Sequence, residues 1–165
     1  MSETLVESGS NGVVAEDHMQ ALVFSIGAKL FAMDITRCRD VSKPPGITSV
    51  PLARDFIGGI VNIRGEIITV FELPRLLGYP DSDAADPPVV IRVKTPGMLE
   101  ALRADAIVDT VTFPLTELEE ASYHLSEHET KFISHVAQLE GKLVLFIDVG
   151  GVFDQINRSF GEVNE

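Results

Sequence analysis

Phe56 to Gly78 reads FIGGIVNIRGEIITVFELPRLLG, and this stretch decides the fold. Ile60 to Ile63 and Glu66 to Leu73 are rich in β-branched and aromatic side chains, which suit a pleated, half-buried surface. Gly65 lies between them, where a tight turn calls for positive φ. Asn62, three residues earlier, is a type that hydrogen-bonds local backbone at turns. Pro74-Arg75-Leu76-Leu77-Gly78 then fits one helical turn, with proline in its first turn and glycine past its end.

The same grammar extends outward. Upstream, Leu22, Phe24 and Ile26 alternate with their neighbours, Gly27-Ala28-Lys29 turns, and Phe31, Met33 and Ile35 alternate again, which predicts a β-hairpin. Thr36 to Val41 continues extended, Pro44-Pro45-Gly46 breaks the chain, and Ile47 to Val50 reads as a short strand. Downstream, Tyr79 to Pro88 is a polar, proline-rich loop or crossover. Val89 to Lys94 and Ala104 to Phe113 are strands. Pro114 to His128 is acidic and irregular, with a helical turn expected at Thr116 to Glu120. Phe132 to Leu139 and Leu143 to Val149 flank the turn Glu140-Gly141-Lys142. Many short strands with few helical patterns predict an all-β barrel class. There is no strict repeat, although each half runs strand, turn, strand and then a hairpin.

A length of 165 residues predicts one domain, or two very small ones sharing an interface. With 45% hydrophobic and 23% charged residues the body is an ordinary folded one. The net charge of −12 argues against nucleic-acid binding, which needs clustered cations. Nor is there a polybasic stretch for an anionic membrane surface. The lone Cys38 rules out an internal disulfide and fits a reducing compartment. Met1 to His18 carries Glu3, Glu7, Glu16 and Asp17 without Lys or Arg, so it is no signal peptide. No apolar run reaches the ~18 residues of a membrane span. The expected organisation is a mobile tail over 1–18, a body over 19–155 and a C-terminal tail over 156–165, in a cytoplasmic protein with no direct membrane insertion.

Charge is unevenly spread. Asp34 to Arg64 holds five cations and three anions, whereas Glu100 to Glu140 holds two cations and nine anions. Opposite fields on two parts of a surface suit oriented docking to a protein partner, and scatter on an acidic surface is the plainer alternative.

Candidate chemistry is sparse. His124 and His128 lie four apart and would share a helix face, with Glu127, Glu129 or His135 to complete a metal site. Leu125 follows His124, so the order is not H-E-x-x-H, and spaced histidines in a polar loop are ordinarily solvated. Arg37 and Arg39 flank Cys38 and could lower its pKa, but neighbours on a strand point to the opposite face. GGIVNIRG lacks the lysine of a phosphate loop and is not G-x-G-x-x-G. No catalytic residue, metal site or cofactor is predicted.

The decisive stretch resembles the signature of the CheW family, the coupling proteins of bacterial chemotaxis-type signalling. Gly59, Asn62-Ile63-Arg64-Gly65, Val70-Phe71-Glu72-Leu73 and Pro74 to Leu77 fill the family's places. Leu22 to Ile35 is similar to its opening hairpin, Ile107-Val108-Asp109 to its second-half strand, and Phe132-Ile133 with Gly141 to Asp148 to its closing hairpin. Thr69, Glu72, Asp105 and His135 depart from the pattern. The resemblance implies two intertwined SH3-like five-stranded β-barrels with short helical turns and a groove between them. It also implies a non-enzymatic adaptor between the cytoplasmic tip of a methyl-accepting chemoreceptor and the regulatory domain of a CheA-type histidine kinase. Ile35, Cys38, Asp40, Val41, Gly59, Asn62 and Arg64 would line or support the receptor groove, with Gly65 a structural turn. Arg64 reads either as a solvated arginine or as the docking arginine of that groove, paired with Asp40. The rival readings are an enzyme at the His124/His128 loop and an adaptor of a twitching or developmental pathway.

Overall fold

Alternation decides where the core sits, because a strand offers its odd and even residues to opposite faces. The computed structural model describes residues 17–80 and 87–163, with side chains to Arg158. Its strands are β1 (His18–Ile26), β2 (Lys29–Asp34), β3 (Cys38–Ser42), β4 (Ile57–Ile63), β5 (Glu66–Phe71), β6 (Val89–Val93), β7 (Glu100–Ala104), β8 (Ala106–Pro114), β9 (Glu119–Glu120), β10 (Ile133–Leu139) and β11 (Lys142–Ile147). Helices α1 (Leu73–Leu77) and α2 (Val149–Val163) complete it, with short 3-10 turns between.

The strands form two sheets. One is ordered β9-β10-β11-β2-β1-β8 and the other β3-β6-β7-β5-β4. The opening hairpin therefore joins the strands from the chain's far end through the parallel pair β2 and β11. The middle of the chain builds the other sheet around the parallel pair β5 and β7. This is the intertwining the resemblance implies, in sheets of six and five strands rather than five and five. Neither sheet closes fully.

Three apolar clusters follow from the alternation. Ala21, Val23, Ala32, Val144 and Phe146 fill the concave face of the first sheet. Val61, Ile63, Ile68, Val70, Val90 and Ala101 fill that of the second. Leu22, Phe24, Phe31, Met33, Ile91, Leu102 and Leu145 face the other way and meet in the largest cluster, between the sheets. Strands buried on both faces read as near-continuous apolar runs, which explains Val89–Val93, interrupted only by Arg92. One shared core also solves the problem of size, since each barrel alone is too small to hold a large one.

The expected turns form as written. Arg64 and Gly65 both have positive φ (53° and 87°), the pattern of a two-residue hairpin turn, and Gly78 caps α1 in the left-handed region. Several boundaries differ. Ile35–Arg37 is a 3-10 turn, because the Thr36 amide and hydroxyl both donate to Asp34 Oδ1 (2.9 and 2.7 Å). Ile47 to Val50 makes only a bridge at Thr48 to Ile60. The strand expected from Ala104 is two strands, broken at Asp105, whose carboxylate accepts from the Gly27 amide (2.6 Å). The acidic segment forms 3-10 turns at Leu115–Glu117 and Ala121–Tyr123 around β9.

Both expected tails need correction where they are described. His18 opens β1, and the rest of that expectation lies outside the described residues. Of the expected C-terminal tail, residues 156–163 belong to α2. Val149, Val152, Phe153 and Ile156 repeat at helical spacing and are buried, and the Phe71 and Phe153 rings pack edge-to-face with their centroids 5.3 Å apart. Asp148 starts that helix by accepting from the Gly151 amide (3.1 Å).

Candidate functional site

Apart from Ile35, in the 3-10 turn before β3, the residues singled out from sequence fall on β3 and on the β4–β5 hairpin, which are opposite edges of the five-stranded sheet. The curl of the sheet brings part of them together. Arg39, on the bulged edge of β3, reaches Glu66 at the start of β5 (3.8 Å). Glu66 pairs with Ile63 across the Arg64-Gly65 turn. One end of the small barrel therefore gathers Arg39, Asp40 and Glu66 beside that turn.

At its centre lies Arg92, 1% exposed and part of no reading made from the sequence. Its Nη2 donates to Glu66 Oε1 and to the Met98 carbonyl, both at 3.0 Å, and its Nη1 lies 3.8 Å from Asp40 Oδ2. Arg92 shares the concave face with Val90, so its stem closes the apolar interior while the guanidinium plugs the mouth. The expected Asp40–Arg64 pair is thereby overturned. Asp40 takes Arg92, and Arg64, in its left-handed turn, has no ion pair among the described residues. Asp40 Oδ1 and Arg92 Nε are buried without hydrogen-bond partners among the described residues. The available signal was one arginine inside the apolar strand VVIRV.

The other candidates divide by role. Ile35 and Cys38 pack against the core between the sheets. Burial, and then the Asp40 carboxylate, push the Cys38 thiol up, although Lys94 opposes them. This is the reverse of an activated nucleophile. Val41 is 40% exposed. Asn62 Oδ1 accepts from the Gly65 amide (3.0 Å), locking the hairpin turn. Gly59, at φ 145°, lies under the Thr48–Ile60 bridge, whose two hydrogen bonds measure 2.8 and 2.9 Å.

The histidine loop is not assembled for metal. His124 pairs with Glu119 (2.6 Å), while His128 faces the Leu76 carbonyl (2.9 Å) and the Phe132 ring. His135 turns to Ser134 (3.0 Å). Glu129 accepts from the Tyr79 hydroxyl (2.5 Å) and the Ser126 amide (3.0 Å). Burial works to raise Glu129, but these donors outweigh it and hold the carboxyl low. Burial and the Glu129 hydrogen bond hold the Tyr79 phenol neutral well past its usual range. Among the described residues no three metal-ligating side chains gather.

A double-mutant cycle on folding stability tests the revised pairing. Asp40→Ala and Arg92→Ala should be non-additive by ~1 kcal/mol or more, whereas Asp40→Ala and Arg64→Ala should add within ~0.5 kcal/mol. Coupling of Asp40 to Arg64 but not to Arg92 would contradict the geometry.

Two small barrels sharing a core, with polar side chains turned to fixing strands and turns, define a docking module. Among the described residues no helix is long and apolar enough to cross a membrane. The family model for the CheW-like domain matches residues 20–157, and the chain belongs to the CheW family. Two relatives, each a chemotaxis protein CheW, are 25% identical. That of Bacillus subtilis aligns over 134 residues, 81% of this chain and 86% of the relative. That of Thermotoga maritima aligns over 137 residues, 83% and 89%. The solved scaffolding protein TtCheW of Thermoanaerobacter tengcongensis superposes with a TM-score of 0.70 at 27% identity, covering 79% of this chain and 88% of that one. The chain is a non-enzymatic chemotaxis adaptor, and its partners are those of chemotaxis signalling.

Proposed function

We propose that the chain couples the cytoplasmic tip of a methyl-accepting chemoreceptor to the CheW-like regulatory domain of a CheA-type histidine kinase, in the cytoplasm at receptor arrays on the inner membrane. The family match over residues 20–157 carries this reading. The mechanism is geometric: the adaptor holds the kinase at the receptor tip, so that a shift in the receptor alters kinase output. The receptor tip is a helical hairpin, so its contact is helix-in-groove. Val41, Asn62 and Arg64 present the surface, while Ile35, Cys38, Asp40 and Gly59 support it from behind. For the kinase, Ile67 (53% exposed) and Leu99 (41%) offer exposed apolar side chains, near the starts of the paired strands β5 and β7, that dock like on like.

Titration of the purified chain with the cognate kinase regulatory domain and with a receptor-tip fragment tests the proposal. Both should bind without any small molecule. Arg64→Ala should weaken the receptor contact while changing stability by less than ~0.5 kcal/mol. A folded chain that binds neither partner would refute the coupling role.

A further inference from the structure

Another concave surface, which shares no residue with that barrel mouth, lies where α1, the 3-10 turn Glu129–Lys131 and α2 meet. It encloses about 430 Å³, a size at which proteins hold ligands. Phe56 and Leu76 reach it from segments flanking the five-stranded sheet, and Phe132 and Ile156 from segments flanking the six-stranded one. These four side chains are largely buried, so they form a shallow apolar floor. The floor is fixed from behind. Phe56 stacks on Phe71 with centroids 6.3 Å apart, and the His128 ring meets Phe132 edge-on at 5.5 Å while its Nε2–H donates to the Leu76 carbonyl (2.9 Å).

The rim is cationic. Arg75, Lys131 and Arg158 line the groove, and no Asp or Glu does, in a chain with 25 acidic and 13 basic residues. Arg75 also contacts Asp55 at 3.8 Å, so Lys131 and Arg158 carry the argument. Both are exposed and have no ion pair among the described residues. Asp154 lies one turn before Arg158 on α2 without pairing with it, and Glu129, beside Lys131, is taken by Tyr79 and Ser126. Unpaired cations around a concave apolar floor complement carboxylates that flank an apolar side chain.

We propose that this groove docks an acidic segment of a partner protein, with carboxylates against Lys131 and Arg158 and one apolar side chain on the floor. A bilayer is the wrong shape for a concavity, and the net charge of −12 repels an anionic membrane from the surrounding surface. The same net charge repels a free acidic peptide at long range, so recognition depends on contact with the groove itself. An occupant touches segments of both barrels and holds them in one relation. Because the floor is already packed in place, docking requires little rearrangement of this chain.

The test uses the full chain and a fluorescent peptide carrying one phenylalanine between runs of glutamate, read by anisotropy and by amide NMR. Binding should saturate at low salt and weaken as salt is raised, with shifts concentrated at Lys131, Phe132, Gln155 and Ile156. Lys131→Glu with Arg158→Glu should weaken it about ten-fold or more. Lys43→Glu with Lys142→Glu changes the net charge equally at exposed sites outside the groove, and should weaken it less than about two-fold. Replacing the peptide's phenylalanine by serine should weaken it about three-fold or more. Thermal melts check that each variant is folded. No saturable binding, equal losses in the two charge-reversed variants, or shifts confined to other surfaces would overturn the proposal. Vesicles of anionic lipid that bind through Lys131 and Arg158 when the peptide does not would overturn it in favour of a membrane contact. Self-association abolished by the same two substitutions, with no peptide binding, would overturn it in favour of a second copy. Neither receptor nor kinase enters the experiment, so its outcome is independent of the coupling role.

Discussion

Gly59→Ala should lose about 3 kcal/mol or more of folding stability, the largest effect of any single methyl added to the chain. A Cβ there would run into the Thr48 carbonyl oxygen and lie 2.7 Å from Ile47 Cγ2, and the backbone is at φ 145°. Two backbone hydrogen bonds clamp Thr48 onto Ile60, so the neighbour cannot withdraw without breaking the bridge. Ile47, which packs on the inner cluster of the small barrel, would move with it. Gly65→Ala is the control. Its Cβ would meet nothing within 4 Å, and only the positive φ of 87° opposes it, at a cost of about 1–2 kcal/mol. Thermal melts of the two variants separate crowding from strain. Equal losses would show that the close approach of Thr48 to Gly59 is not what demands glycine.

Arg92→Ala should cost about 3 kcal/mol and lower Tm by roughly 10 °C. The substitution removes the cation shared by Asp40 and Glu66 and leaves the Met98 carbonyl without its donor. It also opens a void beside Ala101 and Val70. Arg92→Met should recover part of the loss, because it refills the apolar stem's volume while still leaving Asp40 without its cation and Glu66 with only the longer Arg39 contact. Arg92→Lys should also fall short, since a point charge cannot serve two carboxylates and a carbonyl in fixed directions. Denaturant titration of the three variants gives the order. Wild-type stability in Arg92→Ala would show that the guanidinium is not structural.

The legible part of this fold was the part written in short-range patterns. Gly65, Gly78 and Gly141 all have positive φ at expected turns or caps, because turn chemistry is local. The sharing of strands was legible only through the family resemblance. No local pattern states that β2 lies parallel to β11, more than a hundred residues away in sequence. Helix α2 was hidden by Gly150-Gly151, which weaken helix propensity near a start that the Asp148 cap and the burial of Val152, Phe153 and Ile156 then secure. At the candidate site, Asn62 and Gly65 were legible as a turn. The pairing of Asp40 was not. A carboxylate takes whichever cation the barrel brings within reach, and the bulge in β3 and the curl of the sheet present Arg92. Arg92 itself was visible as a charge out of place in an apolar strand, a signal that a buried ion pair or a surface position could equally produce.

The proposed coupling requires the chain to bridge the kinase regulatory domain and the receptor tip. The most direct measurement is co-sedimentation of the kinase regulatory domain with multimerised receptor-tip fragments, with and without the adaptor. The account predicts that the kinase domain enters the pellet when wild-type adaptor is present, and that Arg64→Ala reduces its yield while remaining folded. Equal sedimentation of the kinase domain with and without the adaptor would contradict the account.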